Sequence, residues 1–127
     1  MNKPVELTRA EWALMQCLWQ RGRASATELQ KMLESQQGWA YSTVKTMLDR
    51  MVDKGAVTAQ RDGNVYEYSP RLRRQSAIGR VVDDMFDRVL EGSLSPLVSR
   101  LIESRKLSPA DVAELRAMLD RYDDESE

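Results

Sequence analysis

One stretch decides the fold of this chain: residues 41–69, which read YSTVKTMLDRMVDKGAVTAQRDGNVYEYS. Its first part predicts a helix that begins near Tyr41 or Ser42, because apolar residues recur at the i, i+3, i+4, i+7 and i+8 positions of one face. That face consists of Val44, Met47, Leu48, Met51 and Val52. Gly55 follows where a left-handed helix cap belongs. We therefore expect a helix with one buried face.

The second part of the stretch predicts a β-hairpin. Two short runs with strand character, 57–61 and 64–69, are joined by Asp62-Gly63, a dipeptide suited to a two-residue turn. In that register Val57 pairs with Tyr68 and Ala59 pairs with Tyr66. We expect these four side chains to share the core face of the hairpin.

Two further helices are predicted before this stretch, and each begins with a capping box, in which two side chains satisfy each other's free backbone N–H groups. Thr8 and Glu11 form the first box, and Ser25 and Glu28 form the second. Apolar residues follow at helical spacing: Trp12, Leu14, Met15, Leu18 and Trp19, then Leu29, Met32 and Leu33. Three helices followed by a hairpin are the element order of a winged helix-turn-helix domain, which we place at residues 1–71.

The pattern of apolar residues over 72–127 predicts three amphipathic helices. Together with the first domain, they give a fold class that is mainly α with a small β-hairpin. A hinge is expected at 72–74, the fifth helix is expected to be capped at Ser95, and the sixth at Ser108. Three isolated helices cannot bury so much apolar surface, so we expect a second copy of the chain to cover it. The predicted dimer interface consists of Val81, Val82, Met85, Phe86, Val89, Leu90, Leu94, Leu97, Val98, Leu101, Ile102, Leu115, Met118 and Leu119.

Composition narrows the possible functions. The 127 residues carry 19 basic and 20 acidic side chains, so any binding to nucleic acid must be local. Histidine, the commonest general base and metal ligand, is absent from the sequence, and Cys17 is the only cysteine. We therefore predict neither an enzyme nor a cofactor or metal site. The sequence contains no apolar run long enough to span a bilayer, so no membrane partner and a cytoplasmic location are expected.

The polar side of the third predicted helix carries the functional prediction. Thr43, Thr46 and Arg50 stand at i, i+3 and i+7 and should share an outward edge, flanked by Ser42 and Lys45. Short hydroxyl side chains followed by an arginine suit a helix that lies in the major groove of DNA. The alternative is an ordinary solvated face, which the neighbouring Asp49 and Asp53 favour.

Three further residues are candidate DNA contacts. Arg61 and Asn64 flank the predicted turn and could touch the DNA backbone, although turn chemistry alone would also explain them. Arg9, near the start of the first helix, is a candidate phosphate contact. The alternative function is a winged-helix module that binds protein without sequence-specific DNA binding.

In the order of its motifs, the chain resembles the penicillinase-repressor family, the BlaI, MecI and CopY group of winged-helix regulators. The matching stretches are LTRAEW at 7–12, GWAYSTVKTMLDRMV at 38–52, KGAV at 54–57, GNVYEYSP at 63–70 and GSLSPLV at 92–98. They cover nearly the whole chain. The resemblance implies a homodimeric transcriptional repressor on a short palindromic operator, with the third helix in the major groove, the wing on the backbone and the last three helices interlocked.

Two departures from the family pattern concern induction. Members that respond to β-lactams are inactivated by a sensor protease at an Asn-Phe bond, and the matching pair here is Arg100-Leu101. Copper-responsive members carry Cys-X-Cys motifs near the C-terminus, where this chain has no cysteine. The regulated gene and the inducing signal stay open at this point.

Overall fold

Helices and one small antiparallel sheet make up the computed structural model, which describes residues 5–126. The sheet has the strand order β1-β3-β2. In chain order the elements are α1 Arg9–Arg21, β1 Ala24–Ser25, α2 Ala26–Gln37, α3 Tyr41–Lys54, β2 Val57–Asp62, β3 Val65–Pro70, α4 Arg74–Asp84, a π-helical segment Met85–Val89, α5 Ser95–Glu103 and α6 Pro109–Ser126. The predicted fold class is confirmed.

Capping boxes lie at the start of three helices, where the sequence predicted them. Thr8 and Glu11 cap α1, and Ser25 and Glu28 cap α2, each pair with both hydrogen bonds of a capping box. Ser108 and Asp111 do the same before α6. The prediction for α5 was wrong, because Leu94 occupies the cap position and Ser95 is already the first helical residue.

The core of the N-terminal half of the chain lies between α1, α2, α3 and the sheet. Its fully buried members include Leu14 and Leu18 of α1, Leu29 of α2 and Leu48 of α3. Met32 was expected inside but is exposed, because the buried side of α2 consists of Ala26, Leu29 and Leu33. Burying each large apolar side chain contributes about 1.5–3 kcal/mol, so this cluster is the main source of stability for the arrangement.

The hairpin differs from the predicted register. Asp62 pairs with Val65, so the two-residue loop is Gly63-Asn64 rather than Asp62-Gly63. The physical reason is that Gly63, at φ 65°, takes the first loop position, where a type II′ turn requires glycine. Ala59 consequently pairs with Tyr68 and Val57 with Pro70.

The shift of the hairpin register leaves each side chain on its predicted face but changes which ones are covered. Val57 and Tyr68 are buried, whereas Ala59 and Tyr66 are exposed, since the hairpin extends beyond the helices that cover its base. A two-residue strand that the sequence did not predict, β1, pairs Ala24 with Tyr68 and completes the sheet.

The segment after the hairpin is hydrogen-bonded to the residue that precedes β2. The backbone N–H groups of Arg71 and Leu72 both donate to Ala56 O, at 2.9 and 3.0 Å, and Ala77 of α4 is buried. The hinge at 72–74 stays a prediction, and Leu72 at its start is bonded to Ala56. The chain divides into two compact units between Val81 and Val82, within α4, whereas the domain boundary proposed from the sequence lies between residues 71 and 72.

The second unit consists of the end of α4, the π-helical segment, α5 and α6. From Val82 to Glu125 not one side chain is buried within the chain. Helix α4 was expected to continue regularly to Gly92, but it widens into the π-helical turn at Met85–Val89 and ends at Leu90. Among residues 5–126, no helix combines the length and the apolar character that a membrane span requires.

Candidate nucleic-acid interface

Helix α3 has two sharply different faces. Val44, Leu48 and Met51 are completely buried on the inner face. The outer face carries the predicted contact residues Ser42, Thr43, Thr46 and Arg50, all of them exposed. The geometry predicted for this edge is therefore present, with hydroxyl side chains at the N-terminal end and the guanidinium one turn further on.

The start of α3 differs from the starts of α1 and α2. Ala40 is its cap residue and provides no side-chain hydrogen bond. Tyr41, the first helical residue, has half of its surface exposed. The first N–H groups of a helix have no intrahelical partner, so free N–H groups at this end of α3 can donate hydrogen bonds to an acceptor outside the helix.

Lys45 occupies a different position from the other polar residues of α3. Its Nζ lies 2.6 Å from Asp49 Oδ1 and 5.9 Å from the centre of the Tyr68 ring. Hydrogen bonding to Asp49, with a further contribution from Tyr68, raises the pKa of Lys45. The ammonium group therefore stays charged at every physiological pH, and the side chain lies at the boundary between α3 and the hairpin.

A groove separates α3 from the hairpin on either side of Lys45. One cavity, of about 180 Å³, is lined by residues that include Tyr41, Lys45, Asn64 and Tyr66. A second, of about 350 Å³, is lined by Asp49 and Asp53 in addition to Lys45. Only the first cavity is free of carboxylates, so an anionic backbone would be accepted on that side.

The hairpin tip presents two of the predicted contacts. Arg61 Nε donates to Gly63 O at 2.9 Å, which restrains the side chain near the turn and leaves most of its N–H donors for other partners. Asn64 is the second loop residue and is exposed. The sequence predicted that both tyrosines lie in the core. Tyr68 does, because it is 2% exposed, whereas Tyr66 is 49% exposed.

Arg9 lies apart from these residues. It is in the first turn of α1, where Glu11 Oε1 is 2.7 Å from Lys54 Nζ at the last residue of α3. Twelve helical residues separate Lys54 from Ser42, a span of about 18 Å. Arg9 is exposed but near the opposite end of α3 from the hydroxyl residues.

Helix α3 carries three basic side chains, and two of them form ion pairs. Lys45 is paired with Asp49, and Lys54 is paired with Glu11. Arg50 has no ion-pair partner among residues 5–126, and its side chain is exposed. Tyr41 and Tyr66 are exposed groove residues that sequence reasoning did not name as contacts, since Tyr66 was assigned to the hairpin core and Tyr41 was named only as a possible start of the helix.

Three helices, a hairpin that closes a small sheet and an exposed polar edge on the third helix together define a winged helix-turn-helix protein. A search of protein families finds the penicillinase repressor model over residues 7–121. The chain belongs to the penicillinase repressor family. The resemblance seen in the sequence is thereby confirmed, and the family is one of repressors rather than enzymes.

Two curated relatives match over nearly their full length. The methicillin resistance regulatory protein MecI of Staphylococcus aureus (strain N315) is 26% identical over 120 residues, which are 94% of this chain and 98% of MecI. The penicillinase repressor of Bacillus licheniformis is 27% identical over 122 residues, which are 96% of this chain and 95% of the relative.

Solved structures share the same fold. The DNA-binding domain of the repressor BlaI is 29% identical, with a TM-score of 0.53, over 60% of this chain and 93% of that domain. Monomeric Bacillus licheniformis BlaI in complex with the blaP half-operator is 29% identical, with a TM-score of 0.51 and the same coverage. Oxidised MarR of E. coli, 20% identical with a TM-score of 0.51 over 92% of this chain and 76% of MarR, supports the fold alone.

Proposed function

We propose that the chain is a homodimeric transcriptional repressor that acts in the cytoplasm and binds a short palindromic operator, with α3 in the major groove and the hairpin on the DNA backbone. The observation that carries the proposal is the outer edge of α3, where Thr43, Thr46 and Arg50 are exposed while the opposite face is completely buried. The half-operator complex of a similar protein, BlaI, supports it.

The proposed contacts divide by chemistry. Thr43 and Thr46 are short enough to let the helix approach base edges, and the planar guanidinium of Arg50 suits guanine. Ser42 lies at the start of α3 and Lys45 in the groove, and we assign both to phosphate contacts together with Arg61 and Asn64 at the hairpin tip. Arg9, near the other end of α3, is assigned to a more distant phosphate.

Dimerisation is proposed through the second unit. Its large apolar side chains are exposed along three successive helical segments, and a surface of this kind marks an interaction site. Of the predicted interface, Met85, Leu90, Leu97 and Leu101 are half-buried within the chain, and the other ten residues are exposed. A second copy is the simplest partner because a two-fold axis brings the same apolar helices together. It would also place two copies of α3 on the two halves of a palindrome.

Replacing Arg50 by alanine tests the DNA-reading edge. The operator is first recovered by selecting duplexes from a random-sequence library with the full chain, and a palindrome is expected. Arg50→Ala should then weaken binding by about 1–3 kcal/mol, or roughly 5- to 150-fold, and relax the preference at one base position per half-site. Fluorescence anisotropy at several salt concentrations measures both effects.

The salt dependence separates the two ways in which Arg50 could act. A base contact leaves the slope of log K against log salt nearly unchanged, whereas a lost phosphate contact reduces it by about 1. Arg121→Ala on α6 is the matched control and should bind as the parent does. Operator affinity that is unaffected by Arg50→Ala, or selection that recovers no duplex, would contradict the proposal and favour a protein-binding winged helix.

A further inference from the structure

Two carboxylates lie on the exposed side of α3, where a polyanion would meet them. Asp49 and Asp53 are both exposed, and Asp49 is three residues from Thr46 and next to Arg50. Residues three or four apart are neighbours on a helix surface, so Asp49 shares the face assigned to DNA contact. A free carboxylate at this position repels phosphate, so its effect on binding depends on the cation that it holds.

Asp49 holds the ammonium group of Lys45. Lys45 Nζ donates to Asp49 Oδ1 at 2.6 Å and lies 5.9 Å from the centre of the Tyr68 ring. The side chain of Lys45 is 36% exposed, and that of Asp49 is 59% exposed. The base precedes the acid along the helix, which is the weaker of the two orders for an exposed pair of this spacing. A phosphate can therefore compete with Asp49 for the lysine.

The bond also decides on which side of the groove the lysine makes its contact. Lys45 lines both cavities between α3 and the hairpin, whereas Asp49 and Asp53 line only the larger one. The cavity without carboxylates also contains Asn64 of the hairpin tip. The bond to Asp49 therefore directs the ammonium group of Lys45 to the acidic side of the groove.

We propose that Asp49 is a positioning residue that holds Lys45 back from the DNA backbone and thereby weakens the part of DNA binding that does not depend on sequence. The inference rests on the proposed function, since it assumes that this side of α3 meets DNA. A phosphate that takes Lys45 from Asp49 leaves an unpaired carboxylate beside it, and the repulsion between the two anions offsets much of the gain. Because phosphate contacts carry no base preference, the restraint applies to every duplex.

The salt dependence of DNA binding reports this restraint directly. Each basic side chain that neutralises a phosphate releases counterions and adds about 0.9 to the steepness of log K against log salt. Lys45 and Asp49 together carry no net charge, so the pair should add little to this slope. With a neutral residue at position 49, Lys45 brings a full positive charge to the backbone.

The test compares the full chain with Asp49→Asn, which removes the charge and keeps the size of the side chain. The probes are the selected palindrome and a scrambled duplex of equal length, each titrated by fluorescence anisotropy at several salt concentrations. For each α3 bound, Asp49→Asn should bind both duplexes about 2- to 5-fold more tightly at low salt and steepen the slope by about 0.9. The ratio of the two affinities should stay that of the parent, because a phosphate contact does not read bases.

Replacing Lys45 by methionine shows whether the gain passes through the lysine. In the parent, Lys45→Met should change the slope by less than about 0.3 for each α3 bound, because Asp49 already holds the ammonium group. In the Asp49→Asn background it should remove both the gain in affinity and the added slope. An equal gain from Asp49→Asn with and without Lys45 would overturn the inference, since the carboxylate would then act by its charge alone. A loss of about 0.9 in slope from Lys45→Met in the parent would also contradict it.

Asp53→Asn is the matched control, because Asp53 is one turn further along the same exposed side and forms no ion pair among residues 5–126. It removes the same charge without releasing a lysine, and it should change the affinity by less than about 1.5-fold for each α3 bound. A gain as large as that of Asp49→Asn would show that neither carboxylate acts through Lys45.

The remaining outcomes separate this inference from the proposed function. Asp49→Asn that binds as the parent does would refute the inference. So would weaker binding to the palindrome with a changed base preference, because Asp49 would then be a base contact itself. Circular dichroism should show the parent's helix content, since Asp49 is exposed, and Lys45→Met in the parent tests the inference without any change at position 49. Failure to select any palindrome with the parent chain would instead count against the proposed function.

Discussion

A chain that ends after Val81 should bind a single half-site as well as the intact protein does, and bind the full palindrome about 10²- to 10⁴-fold more weakly. The first compact unit contains the whole of α3 and the hairpin, so the proposed contacts to one half-site are all retained. What is lost is the second half-site, which joins the first at a high effective concentration only when the two copies are linked.

Titration of both duplexes by fluorescence anisotropy, with sedimentation equilibrium to measure the oligomeric state, checks this prediction. Leu119→Asp in the full chain is the companion variant, because Leu119 is 62% exposed on the apolar stripe of α6. It should convert the dimer to a monomer with half-site affinity intact. Ala113→Asp places the same charge on the opposite face of α6 and should remain dimeric. A truncated chain that binds the palindrome as tightly as the parent would refute pairing through α4–α6.

Local signals in the sequence were sufficient for most of the fold. The capping boxes at Thr8 and Ser25 depend on residues three apart, so their geometry follows from the sequence alone. The two faces of α3 follow equally from a strong 3.6-residue period, which correctly placed Leu48 inside and Arg50 outside. These features needed no knowledge of the rest of the molecule.

The missed features depend on turn geometry or on distant partners. The hairpin register is set by where Gly63 falls in the turn, and β1 exists only because Ala24 meets Tyr68. Leu72, at the start of the expected hinge, accepts a hydrogen bond from Trp19, which lies 53 residues away. The expected register assigned Tyr66 to the core together with Tyr68, yet Tyr66 is 49% exposed.

The same limit applies to the candidate site. The sequence placed Thr43, Thr46 and Arg50 on one edge, and the structure exposes all three. It could not show that Lys45 pairs with Asp49 or that Lys54 pairs with Glu11. The structure shows instead that Arg50 differs from the two lysines, and this difference makes its substitution the informative one.

Replacing Lys54 by methionine should lower the free energy of unfolding by about 2–3 kcal/mol at pH 7. Lys54 Nζ donates to Glu11 Oε1 at 2.7 Å and to Glu6 O at 3.0 Å, and thereby joins the end of α3 to the capping box of α1. The side chain of Glu11 is only 5% exposed. Removing one member of a buried pair costs about 3–5 kcal/mol of stability. We expect less here because the side chain of Lys54 is itself 32% exposed.

The loss of stability caused by Lys54→Met should depend on pH. Burial by itself would raise the pKa of Glu11, but the hydrogen bonds from Lys54 and Thr8 outweigh burial and hold the pKa below its ordinary value of 4.5. A carboxyl group whose pKa is lower in the folded state than in the unfolded state stabilises the fold at pH values above its ordinary pKa. This stabilisation is lost as the pH falls through the folded-state pKa. Without Lys54 the pKa of Glu11 rises, because the hydrogen bond and the positive charge of Lys54, which both lower it, are lost. The stability gap between parent and Lys54→Met should therefore be largest at neutral pH and shrink below about pH 4.5.

Urea unfolding of both proteins between pH 4 and pH 7 measures the gap. Lys45→Met is the matched control on the same helix, since its partner Asp49 is 59% exposed, and it should cost no more than about 1 kcal/mol. In a Glu11→Gln background, Lys54→Met should also become much less costly, because no buried charge is left without a partner. A gap that is the same at both ends of the pH range, or equal to that of Lys45→Met, would show that Lys54 and Glu11 contribute no more than a surface pair.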